Sequence, residues 1–128
     1  MASVPDDLKY TAEHEWVRAD NNGSTVRIGI TDFAQQSLGD VVYVSLPAIG
    51  SALTQGDAFG EVESTKSVSD LYAPVSGTVT ARNEDLDEHP EAINADPYGA
   101  GWIVEIELSE PDQIEELLDP DAYGPMSG

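Results

Sequence analysis

The chain has 128 residues, 40% of them hydrophobic, and sets 25 acidic side chains against five basic ones for a formal net charge of −20. That length and apolar content predict one domain with one core, spanning 1–128. The charge excludes nucleic-acid binding through phosphates, since few cations are available to replace counterions, and it opposes contact with anionic membranes.

In chain order, Leu8–Thr11 and Glu15–Arg18 read as entry strands. Asn21-Asn-Gly-Ser24 reads as a turn, because Asn-Gly is the strongest hairpin dipeptide. Val26, Ile28 and Ile30 alternate with Arg27 and Gly29 as a half-buried strand. Thr31 is placed to cap a short helix through Phe33, Ala34 and Leu38, which Gly39 ends. Strands follow over 41–46, 58–63, 68–73 and 78–82, separated by Gly- and Pro-containing turns. Residues 83–100 are polar and broken, a loop with at most short helical turns. Trp102, Val104, Ile106 and Leu108 alternate as a last strand. A C-terminal helix is predicted over about 110–118, from a capping-box-like Ser109-Glu-Pro-Asp112 and an apolar stripe of Ile114, Leu117 and Leu118. Residues 124–128 are expected to be loose.

Little conventional catalytic chemistry is visible. There is no cysteine, hence no disulfide, thiolate nucleophile or Cys-based zinc site. His14-Glu15 lacks the second histidine of the His-Glu-x-x-His zinc motif, and no Gly-x-Ser-x-Gly elbow or phosphate-cradling glycine loop occurs. The chain reads as a non-enzyme without a metal site. No stretch approaches a membrane span, and Met1–Asp7 resembles no signal or transit peptide, so a cytoplasmic location is expected. The acidity reads as adaptation to a salt-rich cytosol, where self-repulsion is screened; the source expected from it is a halophile, and an archaeal one.

Lys66 stands out. It is one of two lysines, with Lys9, and lies at the bend between two strand-like runs, with small neighbours Thr65, Ser67 and Ser69. Val62, Val68 and Leu71 are the expected anchors behind it. An amine at a hairpin tip suits covalent carriage: a tethered intermediate stays at high effective concentration near partner active sites.

Glu63-Ser-Thr-Lys-Ser-Val-Ser-Asp70 followed by Ala73-Pro-Val-Ser-Gly-Thr-Val79 resembles the lipoyl-attachment hairpin of glycine cleavage system H proteins. The likeness continues through His14-Glu-Trp-Val17, Ile28–Asp32, Leu38–Val42, Ile93-Asn94, Pro97-Tyr-Gly99, Gly101-Trp102 and the Leu117-Leu118…Tyr123 tail. The resemblance implies a mainly β barrel-sandwich hybrid: two small antiparallel sheets, short helices and a C-terminal helix. It implies lipoate in amide linkage on Lys66, with Glu15 and Asp70 contacting the loaded arm. Glu13 stands where relatives can carry a small serine. Trp16 and Trp102 are expected to pack in the core, and His14 to be structural.

The implied partners are the glycine decarboxylase (P protein), the aminomethyltransferase (T protein) and dihydrolipoyl dehydrogenase (L protein). A lipoate ligase or lipoyl/octanoyl transferase would attach the arm, and the carrier is expected to be monomeric. Its implied work is to move the aminomethyl group of glycine between the first two enzymes and electrons to the third. Two other readings are a lipoyl relay in lipoate assembly and a lipoyl domain of another multienzyme complex. Thr65 and Ser67 disfavour biotin carriers, which usually flank the lysine with methionines.

Overall fold

The computed structural model describes residues 4–19 and 24–127. Among the described residues, nine strands form two antiparallel sheets. The larger sheet holds β1 (Lys9–Tyr10), β2 (Glu15–Ala19), β3 (Thr25–Ile30), β5 (Ala52–Leu53), β8 (Gly77–Arg82) and β9 (Val104–Leu108), in the order β1-β2-β3-β9-β8-β5. The smaller holds β4 (Val41–Ser45), β6 (Ala58–Ser64) and β7 (Val68–Tyr72), in the order β4-β6-β7. This is the expected mainly β arrangement of two small sheets. Of the predicted Asn21–Ser24 turn, residues 21–23 lie outside the described residues, but β2 and β3 pair across it from Glu15↔Ile30 to Ala19↔Val26.

Period-2 alternation sets the burial. Val26, Ile28, Val62, Val79, Val104 and Ile106 turn inward, and each is at most 1% exposed. A second cluster gathers Leu8, Tyr10, Trp16 and Tyr123. There the rings of Tyr10 and Tyr123 stack at 4.6 Å and 7°. Trp16 is fully buried and donates its indole N–H to the Pro97 carbonyl at 2.9 Å. Trp102 is only partly buried and lies under the Arg27 guanidinium, 4.4 Å from the ring centre.

Thr31 caps the helix α1 (Asp32–Leu38) as its position foretells: its hydroxyl accepts the Ala34 N–H at 3.3 Å. Gly39 ends the helix at φ 83, in the left-handed region that favours glycine. Residues 83–100 hold only a 3-10 helix at Glu84–Asp87 and the single-turn helix α2 (Ala92–Ala95).

The C-terminal segment departs from expectation. Instead of one helix over 110–118 there is a 3-10 helix at Pro111–Glu116, without a side-chain cap, followed by extended chain at Leu117. The short helix α3 (Pro120–Tyr123) comes next. Two features override the helical stripe. Asp119 precedes a proline and is steered away from helical ψ. Leu118 instead exchanges two backbone hydrogen bonds with Tyr10, at 2.8 and 2.9 Å. Ile114 and Leu117 then pack on the main core, and Leu118 on the aromatic cluster. Within the stretch expected to be loose, Gly124–Ser127 carries a 3-10 helix; Gly128 lies outside the described residues. No helix among the described residues is long and apolar enough to cross a membrane.

Candidate functional site

The β6–β7 hairpin presents Lys66 at its exposed tip. The ladder closes at Glu63↔Val68, and Ser64 N–H donates to the Ser67 carbonyl at 2.8 Å. The hydroxyl of Ser64, a residue only 7% exposed, accepts the N–H groups of Lys66 and Ser67 at 3.3 and 3.1 Å. Thr65 N–H donates to the Asp40 carbonyl at 3.0 Å, which ties the tip to the chain after α1. Lys66 itself is exposed and its aliphatic stem crosses Gly39, where an added Cβ would stand 3.1 Å from Cε. Of the expected anchors, Val62 and Leu71 are buried. Val68 is 57% exposed, because its register opposite Glu63 turns it outward.

Beside the hairpin, a cleft of about 360 Å³ runs between α1 and the edge strand β7. Phe33 and Leu38 form one wall, and Ser69 and Leu71 the other. Ser67, next to Lys66, lines its near part; Glu13, His14 and Glu15 line the part that meets β2. Asn94 steadies α1 from behind: its amide donates to the Gly39 carbonyl at 2.9 Å and accepts from Val41 N–H at 2.9 Å. The Tyr98 hydroxyl accepts the Asp32 N–H at 2.9 Å at the other end of that helix. The late blocks of the sequence therefore hold the helical wall in position.

Glu15 is 2% exposed. Its carboxyl accepts the Tyr72 backbone N–H at 2.7 Å and the Thr11 hydroxyl at 3.3 Å. Desolvation pushes its pKa up to about 8, against the lowering effect of those two bonds and with Glu13 adding to the rise. The group is thus poised to be neutral alone and ionised beside a cation. Glu13 and Glu15 also border a second cleft of about 320 Å³ toward Gln55 and Leu118. Asp70 lines the first cleft but is exposed, with the Tyr72 hydroxyl 3.4 Å from its carboxylate. Lys66, Glu15 and Asp70 therefore border one groove.

Ser64 and Asn94, which brace the hairpin and the helix, were not identifiable as site residues from the sequence.

The family model for the glycine cleavage H-protein matches residues 8–127. The chain belongs to the glycine cleavage H-protein family. An H protein of Mycobacterium avium is 61% identical over 127 residues, covering 96% of each chain. One from Mycobacterium bovis is 57% identical over 129 residues, again covering 96% of each. The crystal structure of an H protein from Mycobacterium marinum superposes with a TM-score of 0.86 at 42% identity, covering 95% of this chain and 98% of that one. H proteins are carrier components of the glycine cleavage system rather than enzymes. They bear a covalently bound lipoate on a lysine and work with the P, T and L proteins. These relatives are bacterial and lend no support to the archaeal, halophilic source expected from the charge.

Proposed function

We propose that Lys66 is the lysine that carries lipoate and that the groove beside it receives the loaded arm. The observation that carries this reading is an exposed amine on a braced hairpin tip, next to a cleft that also holds a buried carboxyl. The groove fits such a group. Phe33, Leu38 and Leu71 suit a hydrocarbon chain, and Glu15 suits a protonated amine on its cargo. The lipoyl group supplies the disulfide chemistry that accepts the one-carbon unit and electrons. The protein's own residues hold and shield it.

Glu15 is the main contact to the cargo amine, ionising when the cation enters, because a buried carboxylate is stable only when paired. Asp70, being exposed, adds attraction at the groove's rim. Glu13 adds a further negative charge there and makes the groove more favourable to a cation. A lipoate ligase or lipoyl/octanoyl transferase is the enzyme that must reach Lys66 first, and the open tip suits that access.

Reconstitution with the P, T and L proteins tests the reading. The lipoylated wild type should support glycine-dependent turnover, and Lys66→Arg should not, with its fold unchanged. Full turnover by Lys66→Arg would overturn the assignment. Lipoylated Glu15→Gln should still be loaded but lose its cargo faster; an unchanged cargo lifetime would remove Glu15 from the site.

A further inference from the structure

His14 closes the turn that leads from Thr11 into β2, its N–H donating to the Thr11 carbonyl at 3.1 Å. It is the one non-glycine residue at positive φ among those described, at 68°, a conformation that costs an L-residue about 1–2 kcal/mol and clusters at functional sites. Its ring leans on Phe33 at 4.6 Å. Its Nδ1 lies 2.7 Å from the Tyr123 hydroxyl, which in turn lies 2.7 Å from the Thr31 hydroxyl.

The direction of that chain of hydrogen bonds can be assigned. Thr31 is fully buried, and the Tyr123 oxygen is the sole acceptor within reach of its hydroxyl proton among the described residues. Thr31 must therefore donate to Tyr123. Tyr123 then spends its own proton on His14 Nδ1, which accepts. The ring is left neutral with its hydrogen on Nε2, in keeping with a His14 pKa lowered chiefly by burial. Nε2 has no protein partner among the described residues, and no buried side-chain nitrogen or oxygen lacks one. Nε2–H is therefore accessible, on a residue that lines the cleft.

We propose that His14 is a second binding residue for the loaded arm, donating its Nε2–H to a sulfur of the lipoyl head beside Glu15. This rests on the carrier reading of Lys66. The arm's hydrogen-bond acceptors are its amide, next to Lys66, and its two sulfurs at the far end. Ser67 marks the near end of the groove, and Tyr72, which holds Glu15, lies five residues further along an extended strand, about 17 Å away. The acceptor that can reach His14 is thus a sulfur. Tyr123 and Thr31 are positioning residues: they fix the tautomer, so the C-terminal segment governs the chemistry of the groove.

Two variants separate this role from folding. Tyr123→Phe keeps the ring stacked on Tyr10 and removes only the hydroxyl. His14→Asn keeps a residue that tolerates positive φ. Nitrogen-15 NMR of the unlipoylated protein should find His14 as the Nε2–H tautomer in the wild type, shifting toward Nδ1–H in Tyr123→Phe. An Nδ1–H wild type would overturn the inference whatever the arm does. In the lipoylated protein loaded by the P protein, His14→Asn should release the one-carbon unit roughly fivefold faster, about what one hydrogen bond is worth, and Tyr123→Phe should do so by a smaller factor. An unchanged release rate in His14→Asn would also overturn it. Failure of Lys66 to accept lipoate would instead overturn the carrier reading and take this inference with it, while leaving the tautomer result standing.

Discussion

Glu15 shows how a single residue can set a folded protein's pH response. Its carboxyl is held near pKa 8 in the folded chain, against 4.5 for a free side chain. Below the lower value both states are protonated, and the group costs nothing. As pH rises, the unfolded chain releases this proton first and binds fewer protons than the native one, so stability falls until about pH 8 and then levels. A glutamine in its place can still accept from Tyr72 N–H without the charge. Glu15→Gln should therefore match the wild type near pH 4 and exceed it at pH 8 by on the order of 4 kcal/mol, read by urea unfolding. Equal stability of the two at pH 8 would mean that the carboxyl is not desolvated as described. The same residue shows what sequence alone could offer. Its place in His14-Glu-Trp-Val17 marked it, but its burial and its bond to Tyr72 depend on a contact 57 residues away.

At the scale of elements, most strands were legible, because Val and Ile alternate with polar residues and turns are marked by Gly and Pro. The helix α1 was legible from Thr31 and Gly39, whose capping roles are local. The C-terminal helix was misread, because its outcome depends on Tyr10, more than a hundred residues earlier, which pairs with Leu118. Val68 was misread for the same kind of reason: the hairpin register, not its hydrophobicity, turns it to solvent. The cleft itself was illegible, since its walls come from α1, β7 and the turn before β2. Close packing between elements makes a further expectation. A Cβ at Gly29 would stand 2.6 Å from the buried Trp16 indole, which is pinned by its bond to Pro97. Gly29→Ala should cost about 2–3 kcal/mol in chemical denaturation. A loss below about 0.5 kcal/mol would show that the indole can move aside.

For the whole molecule, the charge of −20 far exceeds the few carboxyl groups that line the groove. Few cations offset it: Lys9 pairs with Asp119, and Arg27 with Glu105 at 2.8 Å, and such partly exposed pairs add little. Mutual repulsion among the carboxylates should therefore weaken the fold at low ionic strength. Raising sodium chloride from about 10 mM to about 1 M shortens the screening length from about 30 Å to about 3 Å and should raise Tm by several degrees. A flat Tm would show that the acidic groups are too well spaced to strain the fold. The bacterial relatives lend no support to a halophilic, archaeal origin, and the electrostatic argument stands without one.

The central claim is that one amine, presented on the β6–β7 tip, is the attachment point. Incubation with a lipoate ligase, lipoate and ATP, followed by intact mass and peptide mapping, tests it most directly. One lipoyl increment on the wild type, located at Lys66 and abolished in Lys66→Arg while Lys9 stays unmodified, is the predicted result. An increment at Lys9, or none on the wild type under conditions that modify another H protein, would contradict it.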